Sequence, residues 1–188
     1  VYTPMHGVGG AFVTGALEAA GHPRVHKVLA QYEPDGRFPT VDFPNPEEPG
    51  ALDLATDLAV EKDADLIIAN DPDTDRLAVS VARADGWRPL TGNQIGVLLG
   101  DYLLTNTKVA KKLVLNSIVS SPMLAQIAAA HGAAFERTLT GFKWIWTAAI
   151  DIEEAGEGTF VFGYEEALGY SVGPAVRDKD GISAAVIF

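Results

Sequence analysis

The chain has 188 residues, of which 47% are hydrophobic, enough for one large domain or two small ones with real cores. Its 14 basic and 25 acidic residues give a formal charge of −11, which argues against nucleic-acid binding because phosphate contacts need clustered Lys and Arg. The absence of cysteine excludes disulfides and zinc thiolate sites. Since no apolar run approaches the roughly 18 residues of a membrane span, we expect a cytoplasmic protein with neither nucleic-acid nor membrane partners.

Short β-branched runs alternate with helical patterns along the chain, which is typical of βαβ units. The first half predicts, in order, a strand at 1–5, a Gly-rich turn at 6–10, a helix at 11–20, a strand at 24–30, a Pro-rich loop at 33–49, a helix at 52–62 and strands at 66–69 and 77–82. A tight turn follows at Asp85-Gly86. An acidic loop separates the last two strands.

The second half repeats this alternation from about residue 89. It predicts a helix at 93–105, a strand at 112–119, a helix at 122–131, a strand at 133–138, a loop at 139–143, a helix at 144–155, a strand at 159–163, a loop at 164–180 and a helix from 181. The predicted fold class is α/β, with two consecutive small α/β domains at 1–90 and 91–188, each a mixed sheet layered with helices. We expect the sequence to be a piece of a longer protein, because its last helix is cut off at Phe188.

The most informative segment is the acidic loop at 70–76, Asn-Asp-Pro-Asp-Thr-Asp-Arg, which follows an apolar strand. Its carboxylates stand at alternate positions and repel one another, and a hard divalent cation such as Mg²⁺ offsets that repulsion. Pro72 stiffens the loop, and ligands of open α/β sheets bind after a strand in this way. We therefore predict a metal site formed by Asp71, Asp73 and Asp75. The alternative is a solvated acidic turn whose aspartates cap backbone amides.

Two other acidic motifs fit this loop less well. An EF-hand needs Gly at its sixth position and Glu at its twelfth, where this chain has Arg76 and Ala82. A haloacid-dehalogenase phosphatase also has an acidic pair after a strand, but that family expects Thr or Val at the position of Asp75. A metal loop of another kind is therefore the favoured interpretation.

The sequence at 70–78, Asn-Asp-Pro-Asp-Thr-Asp-Arg-Leu-Ala, resembles the metal loop of the α-D-phosphohexomutases, which include phosphoglucomutase and phosphomannomutase. Other segments resemble, in order, the opening strand and turn of the family's second domain, its Pro-rich loop, two sugar-facing loops of its third domain and a segment that closes the same face. These segments lie at 3–9, 38–47, 140–144, 163–169 and 178–181. The likeness spans essentially the whole chain.

The resemblance implies an architecture, a reaction and a cofactor. Residues 1–90 would be the metal-binding second domain and residues 91–188 the sugar-recognising third domain. The implied enzyme is a Mg²⁺-dependent intramolecular phosphotransferase that moves a phosphoryl group between the C1 and C6 (or C5) hydroxyls of a sugar phosphate, through an enzyme phosphoserine and a bisphosphate. The N-terminal phosphoserine domain and the C-terminal phosphate-binding domain are missing, so we expect the fragment itself to be inactive.

The resemblance also assigns roles to individual residues. The three aspartates would hold Mg²⁺. Arg76 would be a catalytic residue in contact with the transferring phosphate, or else a structural partner of a loop carboxylate. Glu165 and Glu166 would accept hydrogen bonds from sugar hydroxyls, and Glu165 is favoured because its homologue opens the pair. The alternative for both glutamates is a solvated loop.

Five further residues are candidate substrate contacts. Thr140 and Gly141 belong to the first sugar-facing loop, and Lys143 and Lys179 are possible contacts for phosphate or hydroxyl groups. Lys179 is also a candidate general acid or base, although its acidic neighbours in the sequence favour the protonated form. His6 precedes a helix N-terminus, where it would contact an anion or bond to the turn backbone. For each lysine the alternative is an ordinary surface position.

The identity of the sugar is the least defined part of the prediction. Family members that take hexoses often have a serine in the sugar loop where this chain has Ala167. The Glu-Glu-Ala-Leu-Gly form resembles the branch that contains phosphopentomutases and glucose-bisphosphate synthases. Phosphoglucomutase or phosphomannomutase activity remains the first expectation, with those two activities as alternatives. A non-catalytic α/β module that binds a cation is the hypothesis from a different class.

Overall fold

The computed structural model describes all 188 residues, and the chain divides into two compact units. The first unit contains residues 1–90 together with 181–186, and the second contains residues 91–180 together with 187–188. None of the helices combines the length and apolar character that a bilayer span requires.

The first unit is a four-stranded mixed sheet with helices packed on it. Its elements are β1 (Tyr2–Thr3), α1 (Gly10–Ala19), α2 (Leu29–Tyr32), α3 (Asp53–Glu61), β2 (Leu66–Ala69), β3 (Ala78–Arg83) and β4 (Gly86–Pro89). The strand order is β1-β2-β3-β4, with β1 parallel to β2 and the other pairs antiparallel. Ala55 and Ala59 on α3 pack against Ile67 of β2 and Val28, so small residues let the helix approach the sheet closely.

The predicted strand at 24–30 is wrong. Lys27 forms only an isolated bridge with Tyr2, and the chain turns into α2 at Leu29. The backbone of Tyr2 bonds to His26 and Val28 on either side of that bridge. Pairing therefore stops after one residue because the following residues close a helical turn instead of continuing along β1.

The second unit is also a mixed sheet layered with helices. Its elements are α4 (Gly92–Asn106), β5 (Lys112–Ser117), α5 (Met123–Ala130), β6 (Ala134–Thr138), α6 (Phe142–Glu154), β7 (Thr159–Glu165) and β8 (Gly169–Val172). The strand order is β6-β5-β7-β8, with β8 alone antiparallel to its neighbour. The last helix, α7 (Gly181–Ile187), belongs to the first unit except for its final residue. Two mixed sheets layered with helices confirm the predicted fold class.

Two details of the second unit differ from the prediction. The loop expected at 164–180 contains strand β8, which pairs with β7 from Glu165 opposite Gly169. Helix α6 begins at Phe142, two residues earlier than expected, so the loop before it is shorter. The four-residue strand was missed because its sequence, Gly-Tyr-Ser-Val, is too short to show a period of its own.

A β-bulge in β7 decides which side chains face which helix. Leu113 of β5 pairs with Phe160, but the next residue, Val114, pairs with Phe162, so Val161 is an extra residue in β7. Phe160 belongs to the core cluster formed with α6. Beyond the bulge the parity is reversed, and Phe162 lies against Gly100 of α4.

Candidate functional site

The acidic loop leaves the carboxyl end of β2 and brings three carboxylates together. Asp71 is buried, Asp75 is half-buried and Asp73 is exposed. One carboxylate oxygen from each of the three residues lies within 4.8 Å of the others. Oxygen donors at this spacing suit a hard divalent cation, so the residues fit the predicted kind of metal site.

Hydrogen bonds within the loop fix its shape. The Asn70 side chain donates from Nδ2 to the Arg76 carbonyl at 2.6 Å, and the Thr74 N–H donates to the Asp71 carbonyl at 2.9 Å. Arg76 donates from its backbone N–H and from Nε to the two carboxylate oxygens of Asp71, at 3.0 and 2.6 Å. Arg76 thus forms the structural ion pair that was one of its two predicted roles. Its terminal amino groups take no part in these bonds.

The electrostatics of the loop favour a bound cation. The pKa of Asp73 is raised above its ordinary value, first by desolvation and then by the negative charges of Asp71 and Asp75. Like charges held this close destabilise the loop when all three are ionised. A divalent cation bound between them removes that repulsion, which gives the cluster a chemical reason to bind one.

The Gly-rich turn before α1 places His6 inside the unit. His6 is only 4% exposed, and its Nε2 lies 2.8 Å from Thr40 Oγ1. Gln31 also donates to Thr40 Oγ1 and accepts a hydrogen bond from Thr3. The His6 ring therefore contacts a side chain of the Pro-rich loop, whereas the sequence suggested either an anion or the turn backbone.

In the second unit, Glu165 lies at the start of helix α6. Its Oε1 accepts a hydrogen bond from the Gly141 N–H at 2.5 Å. Gly141 is the residue before the helix and has φ +119°, a backbone conformation that favours glycine. Thr140, next to it, is exposed. The structure thus brings three predicted sugar-loop residues to one place.

Glu166 points to a different set of partners. Its Oε2 accepts hydrogen bonds from the Ser120 hydroxyl at 2.9 Å and the Ser117 hydroxyl at 3.2 Å. The Glu166 N–H donates back to Ser120 Oγ at 3.1 Å. The two serines are buried, and their hydroxyl oxygens lie 2.7 Å apart. The second glutamate of the pair is therefore tied to the turn that follows β5.

Asn93 is a supporting residue that the sequence analysis missed. Its Oδ1 accepts hydrogen bonds from the Ser121 N–H at 2.7 Å and from the Tyr164 hydroxyl at 3.0 Å. It therefore joins the start of α4 to β7 and to the turn after β5 that contains Ser120 and Ser121, the serine turn. The clustering of Asn116, Ser117, Ser120 and Ser121 after a buried parallel strand was the available signal for such a network.

The two candidate lysines lie in different surroundings. Lys143 is exposed, with Nζ 5.2 Å from the centroid of the Trp144 ring. Lys179 is half-buried, with Nζ 5.4 Å from the centroid of the Phe142 ring and 3.4 Å from Asp178 Oδ1. Its aliphatic stem packs against Gly169, which pairs with Glu165. Lys179 and Glu165 are thus brought near each other within the second unit.

Comparison with known families gives two matches that together span nearly the whole chain. Residues 1–86 match "Phosphoglucomutase/phosphomannomutase, alpha/beta/alpha domain II", and residues 91–188 match "Phosphoglucomutase/phosphomannomutase, alpha/beta/alpha domain III". The resemblance inferred from the sequence motifs is confirmed.

Individual relatives carry several names. The chain is 53% identical to a probable phosphomannomutase of Haemophilus influenzae, 45% to a human phosphopentomutase and 40% to a human glucose 1,6-bisphosphate synthase. Each alignment covers the whole chain but only 37%, 32% and 32% of the relative. The chain therefore spans about a third of the length of these curated relatives.

A solved structure shares the fold at lower sequence identity. A putative phosphomannomutase from Thermus thermophilus superposes with a TM-score of 0.80 over 99% of this chain and 40% of that one, at 22% identity. At this identity the likeness supports the fold alone.

Proposed function

This chain belongs to the phosphoglucomutase/phosphomannomutase family, and we propose that it is the central, metal-binding and sugar-recognising part of a phosphosugar mutase. The observation that carries the proposal is the convergence of the Asp71, Asp73 and Asp75 carboxylates after β2. The reaction would transfer a phosphoryl group between hydroxyls of one sugar through a phosphoserine in a further domain of the whole protein. We place that protein in the cytoplasm.

The first unit would supply the electrostatic part of the reaction. Asp71, Asp73 and Asp75 are the proposed Mg²⁺ ligands, and the ion supplies positive charge that offsets the charge of the transferring phosphoryl group. Arg76 holds Asp71 in a fixed orientation through Nε and the backbone. Its terminal amino groups are the proposed contact with the same phosphoryl oxygens, since a guanidinium matches their geometry.

The second unit would recognise the sugar of the substrate. Glu165 is the proposed acceptor for hydroxyl hydrogen bonds, with Glu166 beside it holding the loop through the serine turn and adding a second carboxylate. Thr140, Gly141 and Lys143 are the proposed contacts from the loop at the start of α6. Lys179, whose Nζ lies 3.4 Å from Asp178 Oδ1, is the proposed contact for a phosphate or hydroxyl and the proposed general acid or base.

A hexose phosphate is the first proposed substrate, and a pentose phosphate is the second. The 53% identity to a probable phosphomannomutase favours the hexose. Ala167 in the sugar loop and the 45% identity to a phosphopentomutase favour the pentose. Synthesis of a sugar bisphosphate is a variant of the same chemistry, in which the doubly phosphorylated sugar is released.

The test is an assay of the full-length parent protein with glucose, mannose and ribose 1-phosphates, a bisphosphate activator and MgCl₂. We expect turnover by the parent and none by the 188-residue chain alone. Asp73→Asn in the parent should reduce kcat by about a hundredfold or more, because ligand loss weakens electrostatic stabilisation of the transition state. Asp85→Asn, at an exposed carboxylate in the β3–β4 turn, is the matched control.

Three results would count against the proposal. Turnover by the 188-residue chain, free of contaminating enzyme, would contradict the need for a separate phosphoserine domain. Equal activity of the Asp73→Asn and Asp85→Asn parents would contradict the metal assignment. A parent that binds Mg²⁺ but turns over no sugar phosphate would favour the non-catalytic cation-binding module.

A further inference from the structure

The Gly-rich turn before α1 lies directly against the acidic loop. The Val8 N–H donates a hydrogen bond to the Pro72 carbonyl at 2.9 Å. Pro72 stands between Asp71 and Asp73, so this bond is made to the backbone that carries the carboxylates. A turn of this kind at a helix N-terminus suggested an anion site from the sequence, but the structure shows one of its amides bound to the protein itself.

Gly7 approaches the loop backbone too closely for a side chain. A Cβ atom built on Gly7 would lie 2.7 Å from the Pro72 carbonyl carbon, and the Pro72 Cα and carbonyl oxygen would be nearer still. Observed Cβ contacts are essentially never shorter than 3.0 Å. Since the atoms it would meet are all backbone, no rotation of a side chain can make room.

Gly9 approaches the next part of the loop in the same way, but its neighbour is a side chain. A Cβ atom built on Gly9 would lie 2.5 Å from Thr74 Cγ2. Thr74 is 5% exposed and has φ +66°, an unfavourable conformation for a β-branched residue. Such a conformation persists only when the surroundings enforce it. Gly9 permits this conformation, because its bare Cα leaves the space that the Thr74 side chain fills.

We propose that Gly7 and Gly9 are positioning residues for the metal site. They let the turn support the acidic loop at Pro72 and Thr74, the two residues that alternate with the three aspartates. This support sets the spacing of the carboxylates, although neither glycine touches the ion. The inference rests on the proposed function, since it takes the aspartates to be metal ligands.

The first experiment measures Mg²⁺ affinity of the 188-residue chain by titration calorimetry. Gly9→Ala should raise the dissociation constant by about ten- to a hundredfold, the usual cost of losing support around a metal ligand. Gly15→Ala is the matched control, because Gly15 is exposed on α1, the helix that follows Gly9, and a Cβ there would meet no atom within 4 Å. The control should bind Mg²⁺ like the wild type.

The second experiment uses the difference between the two glycines. Thr74→Gly removes the side chain that a Cβ on Gly9 would meet and suits the positive φ of that position. The double variant Gly9→Ala/Thr74→Gly should therefore bind Mg²⁺ within about twofold of Thr74→Gly alone, because the two positions are coupled through the contact that Thr74→Gly removes. Gly7→Ala/Thr74→Gly should stay as weak as Gly7→Ala, because the Pro72 backbone is still in the way.

One further variant distinguishes a loss of loop positioning from a general loss of stability. Val13→Ala truncates a buried residue of α1 and should lower stability, but it alters neither the Gly-rich turn nor the acidic loop, so it should leave the dissociation constant unchanged. Wild-type affinity in Gly9→Ala would overturn the proposal, and so would failure of Thr74→Gly to rescue it. If Gly9→Ala does not fold, the double variant against Thr74→Gly alone decides.

A further measurement keeps this inference distinct from the proposed function. If the wild-type chain binds no Mg²⁺, the metal assignment fails. The effect of Gly9 on the loop is then read from the ¹³C carboxyl resonances of Asp71, Asp73 and Asp75 in the metal-free chain. They should shift in Gly9→Ala and return in the double variant, whereas Gly15→Ala leaves them unchanged. Unmoved resonances in Gly9→Ala would refute the support itself.

Discussion

Glu165 closes the start of helix α6 by accepting a hydrogen bond from the Gly141 N–H at 2.5 Å. A helix N-terminus has unpaired N–H groups and a partial positive charge, so a carboxylate is favoured there. Glu166, the next residue, instead accepts from Ser117, the last residue of β5, and from Ser120 in the turn that follows. Two adjacent residues at the end of β7 therefore bond to two different loops of the second unit, the loop before α6 and the turn after β5.

Replacing Glu166 should cost stability. Glu166→Ala removes the acceptor of two buried serine hydroxyls, so we expect the free energy of unfolding to fall by about 1–3 kcal/mol. For a chain of this size, that lowers the melting temperature by about 2–4 °C per kcal/mol. Glu157→Ala, at an exposed position before β7, is the control. A melting temperature as high as that of the control would show that the serines do not depend on Glu166.

Replacing Glu165 should cost activity more than stability. Glu165→Gln keeps an oxygen for the Gly141 N–H and loses only the charge, which is worth about 0.3–1 kcal/mol at a helix N-terminus. In the full-length parent, kcat/KM should fall by about a hundredfold or more, because a site built to bond a hydroxyl discriminates strongly. Steady-state kinetics beside thermal unfolding would check this. Equal kcat/KM for parent and variant would contradict the sugar contact.

The division of labour between the two glutamates could not be read from the sequence. Regular alternation would place Phe162 and Glu166 on the same face of the sheet as Phe160, which is the face that packs on α6, and Glu165 on the opposite face. The bulge at Val161 reverses this, so Gly163 faces Ile145 of α6, and Glu165 follows on the same side. A bulge of one residue leaves no periodic signal, because it depends on how β7 pairs with β5.

The acidic loop was easier to identify from the sequence than the contacts that support it. Three aspartates at alternate positions repel each other, and their place after an apolar strand, with Pro72 and Arg76 in the same loop, favours a cation over a solvated turn. The contact of Gly9 with Thr74, by contrast, joins segments that are 65 residues apart and depends on the tertiary fold. The alternation of helices and strands within each unit was predictable from the sequence pattern. The one-residue bridge at Lys27 was not, because the local pattern there resembles a strand.

Removing one charge from the metal loop should stabilise the metal-free chain. The raised pKa of Asp73 means that its ionised form is disfavoured in the folded state. The protonated Asp73 carboxyl favours the folded state. This contribution to the free energy of unfolding is fully present below the unfolded pKa of about 3.9 and is lost as pH rises through the higher folded pKa. Asp73→Asn should therefore raise the free energy of unfolding at pH 7 by about 0.5 kcal/mol, a figure reduced for solvent screening.

The pH dependence gives that prediction its check. The stability difference between Asp73→Asn and the wild type should disappear in melts below about pH 3, where the carboxyl is largely protonated in both states. Asp85→Asn should show no such pH-dependent gain. A variant less stable than the wild type at pH 7 without metal would mean that the loop carboxylates do not repel one another as the structure indicates.

Magnesium should reverse the order of stability. At ten times its dissociation constant, a ligand that binds only the folded state adds about 1.4 kcal/mol, or about 3–6 °C for a chain of this size. The wild-type chain should gain this on addition of MgCl₂ and lose it on addition of EDTA, while Asp73→Asn gains little. Equal gains in both chains would place the binding site away from the acidic loop.

The Trp146 indole provides an internal test of the second unit's core. Trp146 is 3% exposed, packs against Phe160 with ring centroids 4.1 Å apart and planes tilted by 37°, and donates from Nε1 to Ser171 Oγ at 3.1 Å. Ser171→Ala leaves this buried N–H without an acceptor, so the free energy of unfolding should fall by about 1–3 kcal/mol. In a Trp146→Phe background there is no N–H to leave unpaired. There, Ser171→Ala should lower the free energy of unfolding by less, and the difference between the two backgrounds, which is the coupling energy of the double-mutant cycle, should be about 0.5 kcal/mol or more. Identical costs in both backgrounds, measured by urea unfolding, would show that the serine acts only through its own bond to the Val176 carbonyl.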